Sequence, residues 1–122
     1  MSLADLRVAF HDRVVVANLE GEIDMSNARR LGESIADQVA NEAIGLAIDL
    51  TDVRYIDSAG IQVIYELNDR LQSRGQQLRL VVRPGSVIAR TLDLVDTSST
   101  IGIVDTTETA VSAMTSSGEE RS

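Results

Sequence analysis

The sequence predicts an α/β protein, a single domain with a mixed five-stranded sheet, an antiparallel first strand and about four helices. Three observations lead there. Near the N-terminus Leu6, Val8 and Phe10 alternate with polar or small neighbours, and the β-branched run Val14–Leu19 follows after His11-Asp12-Arg13, the pattern of a hairpin. Beyond it, apolar residues recur at steps of three and four in four stretches, and compact apolar runs separate those stretches. Strands joined through helices run parallel by right-handed crossovers, so the sheet is mixed.

Each element has its own signal. Gly21-Glu22-Ile23-Asp24 precedes a helix whose buried face is Ala28, Leu31, Ile35 and Val39, and either Asp24 or Ser26 can cap its first turn. Ile44–Leu50 is the third strand, with Ile44, Leu46, Ile48 and Leu50 expected on one face. Asp49 marks its exit, and Thr51–Ile56 carries the chain outward. Asp57-Ser58-Ala59-Gly60 opens a second helix that runs to about Arg74 and closes at Gly75. Ile61, Ile64, Leu67 and Leu71 form its buried stripe, while Glu66, Asp69, Arg70 and Arg74 belong on the wet side. Leu78–Val82 is the fourth strand. Pro84-Gly85-Ser86 starts a short helix carrying Val87, Ile88 and Leu92, with Leu94 and Val95 near its end. Ile101–Val104 is the fifth strand, and Asp105 with Glu108 resembles a capping box for a last helix through about Met114. The expected organisation is one domain over residues 1–114 and a frayed, flexible tail over 115–122.

Composition removes many function classes. The chain has 122 residues, 43% of them apolar, no cysteine, no tryptophan and a single histidine, and its eleven basic residues are all arginine. Without lysine there is no P-loop and no Schiff base, and without cysteine no disulfide or thiolate zinc site. One histidine, His11, cannot build a two-histidine metal motif, and its place in a hairpin turn reads as surface. The net charge of −8 argues against a nucleic-acid backbone partner. No apolar run approaches the roughly 18 residues of a membrane span, and Met1–Leu6 has no signal-peptide core, so a cytoplasmic protein with no membrane insertion and no cofactor is expected. Asp49, Asp52 and Asp57 suggest a magnesium-assisted phosphoacceptor, but the lysine such a receiver carries is missing, and loop capping accounts for them.

In an open α/β sheet, sites form beyond the carboxyl ends of the strands. Two acidic loops lie there, Gly21–Asp24 and Asp49–Gly60. Ser58 falls at the expected N-cap of the second helix, where two readings stand side by side. It is a plain helix cap contributing about 1 kcal/mol, or it is a modification site where a phosphate adds about −1.5 to −2 charge beside Asp57 and is partly stabilised by the helix amides.

The segment Asp49-Leu50-Thr51-Asp52-Val53-Arg54-Tyr55-Ile56-Asp57-Ser58-Ala59-Gly60 resembles the signature of the STAS family, the anti-sigma-factor antagonists, and Gly21-Glu22-Ile23-Asp24 is similar to that family's Gly-Glu-Leu-Asp. The resemblance covers about Leu6 to Met114. It implies a small regulator whose unphosphorylated form captures an anti-sigma factor that is also a serine kinase of the histidine-kinase-like ATPase type. Capture releases a sigma factor; phosphorylation of the switch serine ends it, and a PP2C-type phosphatase restores it. The resemblance places the switch at Ser58, flanked by Asp24, Asp57, Ala59 and Gly60, and implies no catalytic residue, metal or cofactor. The commoner family pattern is Asp-Ser-Ser-Gly-Leu-Gly, and here Ala59 and Gln62 depart from it, leaving Ser58 as the only hydroxyl in the motif.

Ile61, Gln62, Tyr65, Arg70 and Arg74 are the candidate partner-binding residues on the second helix. From Arg54 to Arg90 six arginines face three acids, a local surplus of +3 inside an acidic chain. That surplus is either a patch for an acidic partner or an ordinary solvated surface. Monomer or weak homodimer is expected. The alternative function is a scaffold or assembly subunit of a signalling platform or lipid-transport complex, acting by packing with Ser58 unmodified; a small enzyme is disfavoured by the missing lysine, cysteine and second histidine.

Overall fold

In the computed structural model the described residues are 4–94 and 101–120. Among them the chain forms β1 (Ala4–His11), β2 (Val14–Ile23), α1 (Ala28–Gln38), β3 (Gly45–Ile56), α2 (Ser58–Ser73), β4 (Gln77–Val81), α3 (Val87–Leu94), β5 (Gly102–Val104) and α4 (Thr107–Glu120). The sheet order is β1-β2-β3-β4-β5, with β1 antiparallel to β2 and the other neighbours parallel. This is the mixed sheet and helix order expected from the sequence.

Two apolar layers sandwich the sheet. On one face the buried stripes of α1 (Leu31, Ile35), α2 (Ile61, Ile64, Leu67, Leu71) and α3 (Ile88, Leu92) join Leu46, Ile48, Leu50 and Leu80 in the main core. On the other, Ala110 and Met114 of α4 cover Val14, Val16, Ala47 and Val81. Strand alternation explains the split, because successive side chains point to opposite faces. Full burial of a leucine such as Leu71, Leu80 or Leu92 contributes about 2 kcal/mol each.

Several boundaries differ from the sequence expectation. β2 does not stop at Leu19 but continues to Ile23, and β3 does not break at Asp49 but runs to Ile56, because the two extensions pair with each other from Glu20↔Asp52 to Ile23↔Ile56. Register shifts interrupt that pairing between Asn18 and Glu20 and between Gly21 and Glu22, and Gly21 takes φ 102, a conformation glycine adopts without a Cβ penalty. Ile44 precedes β3 and packs on the α4 side with Ala47, not with Leu46 and Ile48.

The caps also shift. The N-cap of α1 is Asn27, with neither Asp24 nor Ser26 in that place. Thr106, not Asp105, caps α4: its Oγ1 accepts the Thr109 N–H at 3.1 Å. Helix α4 then runs to Glu120, past the expected end near Met114. At the start of α3 the Ser86 hydroxyl oxygen accepts the Ala89 N–H at 3.1 Å. Val95, expected near the end of the third helix, lies outside the described residues.

Candidate functional site

The ends of β2 and β3 deliver the two acidic motifs to one place. The backbone N–H of Asp57 donates to Ile23 O at 3.1 Å, which ties the start of α2 to the end of β2. Asp57 is the N-cap of α2, in extended backbone at φ −104 and ψ −174. Its Oδ1 accepts from the N–H groups of Ala59 (2.9 Å) and Gly60 (3.1 Å), while Oδ2 accepts from Met25 N–H at 3.3 Å in the neighbouring loop. One carboxylate thus binds the two loops together and satisfies the amides that a helix start leaves unpaired.

Ser58 is therefore not the cap. It is the first residue of α2, exposed, and its hydroxyl makes no hydrogen bond among the described residues. Of the helix amides expected to hold an anion, those of Ala59 and Gly60 are occupied by Asp57. The expectation that Ser58 is the N-cap is corrected accordingly. Gly60 is required by close approach: a Cβ there would lie 2.7 Å from Ile56 Cγ1 and 2.9 Å from Ile23 Cγ2. Its absence lets α2 start directly over the strand ends and holds Ser58 at the rim.

Asp24 organises its own loop. Its Oδ1 accepts from Ser26 N–H at 2.9 Å and from the Ser26 hydroxyl at 2.6 Å. Buried Asn27 completes the turn, accepting Asp24 N–H at 3.1 Å and donating through Nδ2 to Glu22 O at 2.9 Å. The Gly-Glu-Ile-Asp motif is thereby fixed against the start of α1, with Met25 left 83% exposed beside it.

The candidate partner residues separate into groups. Gln62 and Arg70 line a groove of about 560 Å³ between α1 and α2, opposite Arg29 and Glu33, with Met25 and Ala59 at one end. Ile61 is only 7% exposed and belongs to the core, so it offers no surface to a partner. Tyr65 is half-buried against the same core, and Arg74 is the exposed C-cap residue of α2. Sequence reasoning missed Met25, Arg29 and Glu33; the only available signal was their position directly after the Gly-Glu-Ile-Asp motif. The arginine surplus is not one patch. Arg79 sits in β4 and faces the α4 side, where its guanidinium donates to Gln77 Oε1 at 3.0 Å and Leu78 O at 3.1 Å.

The aspartates imagined as a magnesium cluster are engaged elsewhere or apart. Asp49 accepts from Thr51 N–H at 2.9 Å, the Thr51 hydroxyl at 2.7 Å and the Thr107 hydroxyl at 3.3 Å, while Asp52 is exposed. Among the described residues no helix is long and apolar enough to cross a membrane.

Comparisons with known proteins agree with this geometry. The STAS domain model matches residues 5–110. The chain is 32% identical over 108 residues to the anti-sigma-F factor antagonist RsfB of Mycobacterium tuberculosis, covering 88% of this chain and 86% of that protein. A crystal structure of an anti-sigma factor antagonist from Mycobacterium paratuberculosis superposes with a TM-score of 0.82 at 28% identity, covering 92% of this chain and 94% of that one. The fold is also that of the anti-sigma factor antagonist SpoIIAA in its unphosphorylated form, with a TM-score of 0.67 at 16% identity over 88% of this chain and 94% of that one. The Bacillus SpoIIAA structure in the phosphorylated form shares the fold as well, with a TM-score of 0.64 at 17% identity over 89% and 98% of the two chains. The family match over residues 5–110 and the 32% identity to RsfB place this chain in the STAS domain family.

Proposed function

We propose that this chain is an anti-sigma-factor antagonist switched by phosphorylation of Ser58. In this reading the unphosphorylated form captures an anti-sigma factor that is also a serine kinase of the histidine-kinase-like ATPase type, and a sigma factor is released. The kinase phosphorylates Ser58 and capture ends; a PP2C-type phosphatase resets the protein. The chain itself catalyses nothing and works in the cytoplasm.

The observation that carries this reading is the state of Ser58: an exposed hydroxyl with no hydrogen bond among the described residues, at the first position of α2 and next to a carboxylate. A kinase can reach it without unfolding anything. The name of the RsfB relative supports the partner class, and the groove bordered by Met25, Gln62 and Arg70 supplies an adjoining surface for that partner. A phosphoryl group adds about −1.5 to −2 charge beside Asp57, where a docked partner must approach, and each 1.4 kcal/mol of repulsion or uncompensated desolvation weakens binding tenfold.

The test pairs phosphorylation with binding. Incubation with a candidate kinase and Mg-ATP, read by mass spectrometry, is expected to place a single phosphate on Ser58 and none on Ser58→Ala. Ser58→Ala is expected to keep the partner's affinity, while Ser58→Asp loses at least about tenfold. Equal affinity of Ser58→Asp and Ser58→Ala would overturn the electrostatic block.

A further inference from the structure

Among the described residues the outer edge of the sheet is open along β1. This strand pairs with β2 over an unbroken register from Ala4↔Gly21 to His11↔Val14, and it is the terminal strand of the sheet. Exposed edges are normally guarded by brevity, proline, charged side chains or a bulge. β1 is 8 residues long, contains no proline, its register has no shift, and its two charged side chains, Asp5 and Arg7, are of opposite sign.

The turn fixes which backbone groups face outward. Asp12 and Arg13 form a two-residue turn, with Asp12 at φ 58, so the closing pair His11–Val14 is a hydrogen-bonded one. Arg13 O accepts Ile44 N–H at 2.8 Å on the opposite side of β2, in the phase this requires. By alternation Ala4, Leu6, Val8 and Phe10 turn their N–H and C=O groups to the open side. The side chains of Ala4, Leu6 and Val8 pack against the main core, but Phe10, on the same face, is 63% exposed.

We propose that β1 is a homotypic interface: two copies pair their β1 strands antiparallel about a two-fold axis at Val8, joining their sheets into one. A two-fold always sets even positions against even and odd against odd, so outward backbone groups meet outward groups at any centre. The side chains select the centre. With the axis at Val8, Leu6 meets Phe10 of the second copy, Val8 meets Val8, and both exposed Phe10 rings gain an apolar neighbour. On the other face Asp5 meets His11 and Arg7 meets Ala9, so no like charges are opposed. An axis at Arg7 sets Arg7 against Arg7, and an axis at Ala9 sets Leu6 against Asp12 of the turn. Centring at Leu6 carries Phe10 beyond the described strand. The surface runs along β1, from beside Gly21 to the Asp12-Arg13 turn, uses no residue of α2, and the proposal is independent of the role assigned to Ser58.

The experiment is sedimentation of the full chain over a concentration series, with residue-resolved amide exchange at the two ends of that series. The expected result is concentration-dependent dimerisation, with Leu6, Val8 and Phe10 amides gaining protection as the dimer forms. Val8→Pro removes an outward N–H, which an edge strand tolerates, along with part of the Val8 packing on the core, whereas Phe10→Lys changes only an exposed side chain. Each is expected to move the dimerisation midpoint to at least about tenfold higher concentration, with circular dichroism unchanged for Phe10→Lys. A chain still monomeric at about 1 mM, where even affinities as weak as about −4 kcal/mol register, overturns the proposal. So does a dimer that Phe10→Lys leaves intact, or amide protection arising away from β1.

Discussion

Replacing Asp57 by alanine removes three acceptor contacts at once, and their geometry sets the expected loss. The bonds from Ala59 N–H (2.9 Å) and Gly60 N–H (3.1 Å) form the N-cap of α2, a contribution of about 1 kcal/mol. The bond from Met25 N–H is longer, 3.3 Å, and lies in an exposed loop where water can replace it, so it adds about 0.5 kcal/mol. For a chain of 122 residues the unfolding entropy is about 0.26 kcal/mol/K, and a total near 1.5 kcal/mol lowers Tm by about 6 °C. Thermal unfolding followed by circular dichroism measures this directly. Asp57→Asn retains one acceptor oxygen and is expected to recover most of the cap without the Met25 contact. Ser58→Ala is the matched comparison: Ser58 is exposed and caps nothing, so its change stays within about 0.5 kcal/mol, or about 2 °C. The reverse pattern, a silent Asp57→Ala with a Tm drop for Ser58→Ala, refutes the assignment of the cap.

Two further perturbations probe the supports of the site and the fold. Gly60→Ala brings a Cβ against Ile56 and Ile23; overpacking of about 1–3 kcal/mol outweighs the gain in helix propensity of about 1 kcal/mol, so a net loss of up to about 2 kcal/mol is expected in urea unfolding. Gln76 is 4% exposed and donates through Nε2 to Ala40 O and Ala43 O at 2.9 and 3.0 Å. Gln76→Ala removes the donor from two part-buried carbonyls and is expected to cost about 1 kcal/mol, with faster amide exchange in the turn before β3; an unchanged denaturation midpoint counts against this reading.

Much of this architecture was legible because periodicity reports burial. Ile61, Ile64, Leu67 and Leu71 recur at helical spacing, and all four lie in the main core. The caps were less legible for a chemical reason. Asp57 and Ser58, or Asp105 and Thr106, carry equally suitable acceptor oxygens, and only the backbone conformation decides which one precedes the first helical residue. The extension of β3 was hidden because Asp52 and Arg54 interrupt its apolar pattern, while what holds it straight is pairing with Glu20–Ile23, distant in sequence. Arg79 looked continuous with the arginines of α2 along the chain, yet strand alternation sends it through the sheet to the α4 side. The motif pair marked Ser58 and its neighbours, but the groove needed α1 as well, and no local pattern announced that Met25 and Arg29 would stand across from Gln62 and Arg70.

The Asp57 clasp has a bearing on how this surface discriminates among anions. With the Ala59 and Gly60 N–H groups taken by Oδ1 and a carboxylate standing at the helix start, dissolved phosphate, sulfate and nucleotide tails meet two occupied amides and an unfavourable field. Such ions cannot imitate a phosphoryl group there by simple mass action, because only a covalent bond holds a dianion so close to Asp57. Under the proposed switch, such a surface is insensitive to free phosphate and responds to a dianion only when it is held covalently on Ser58.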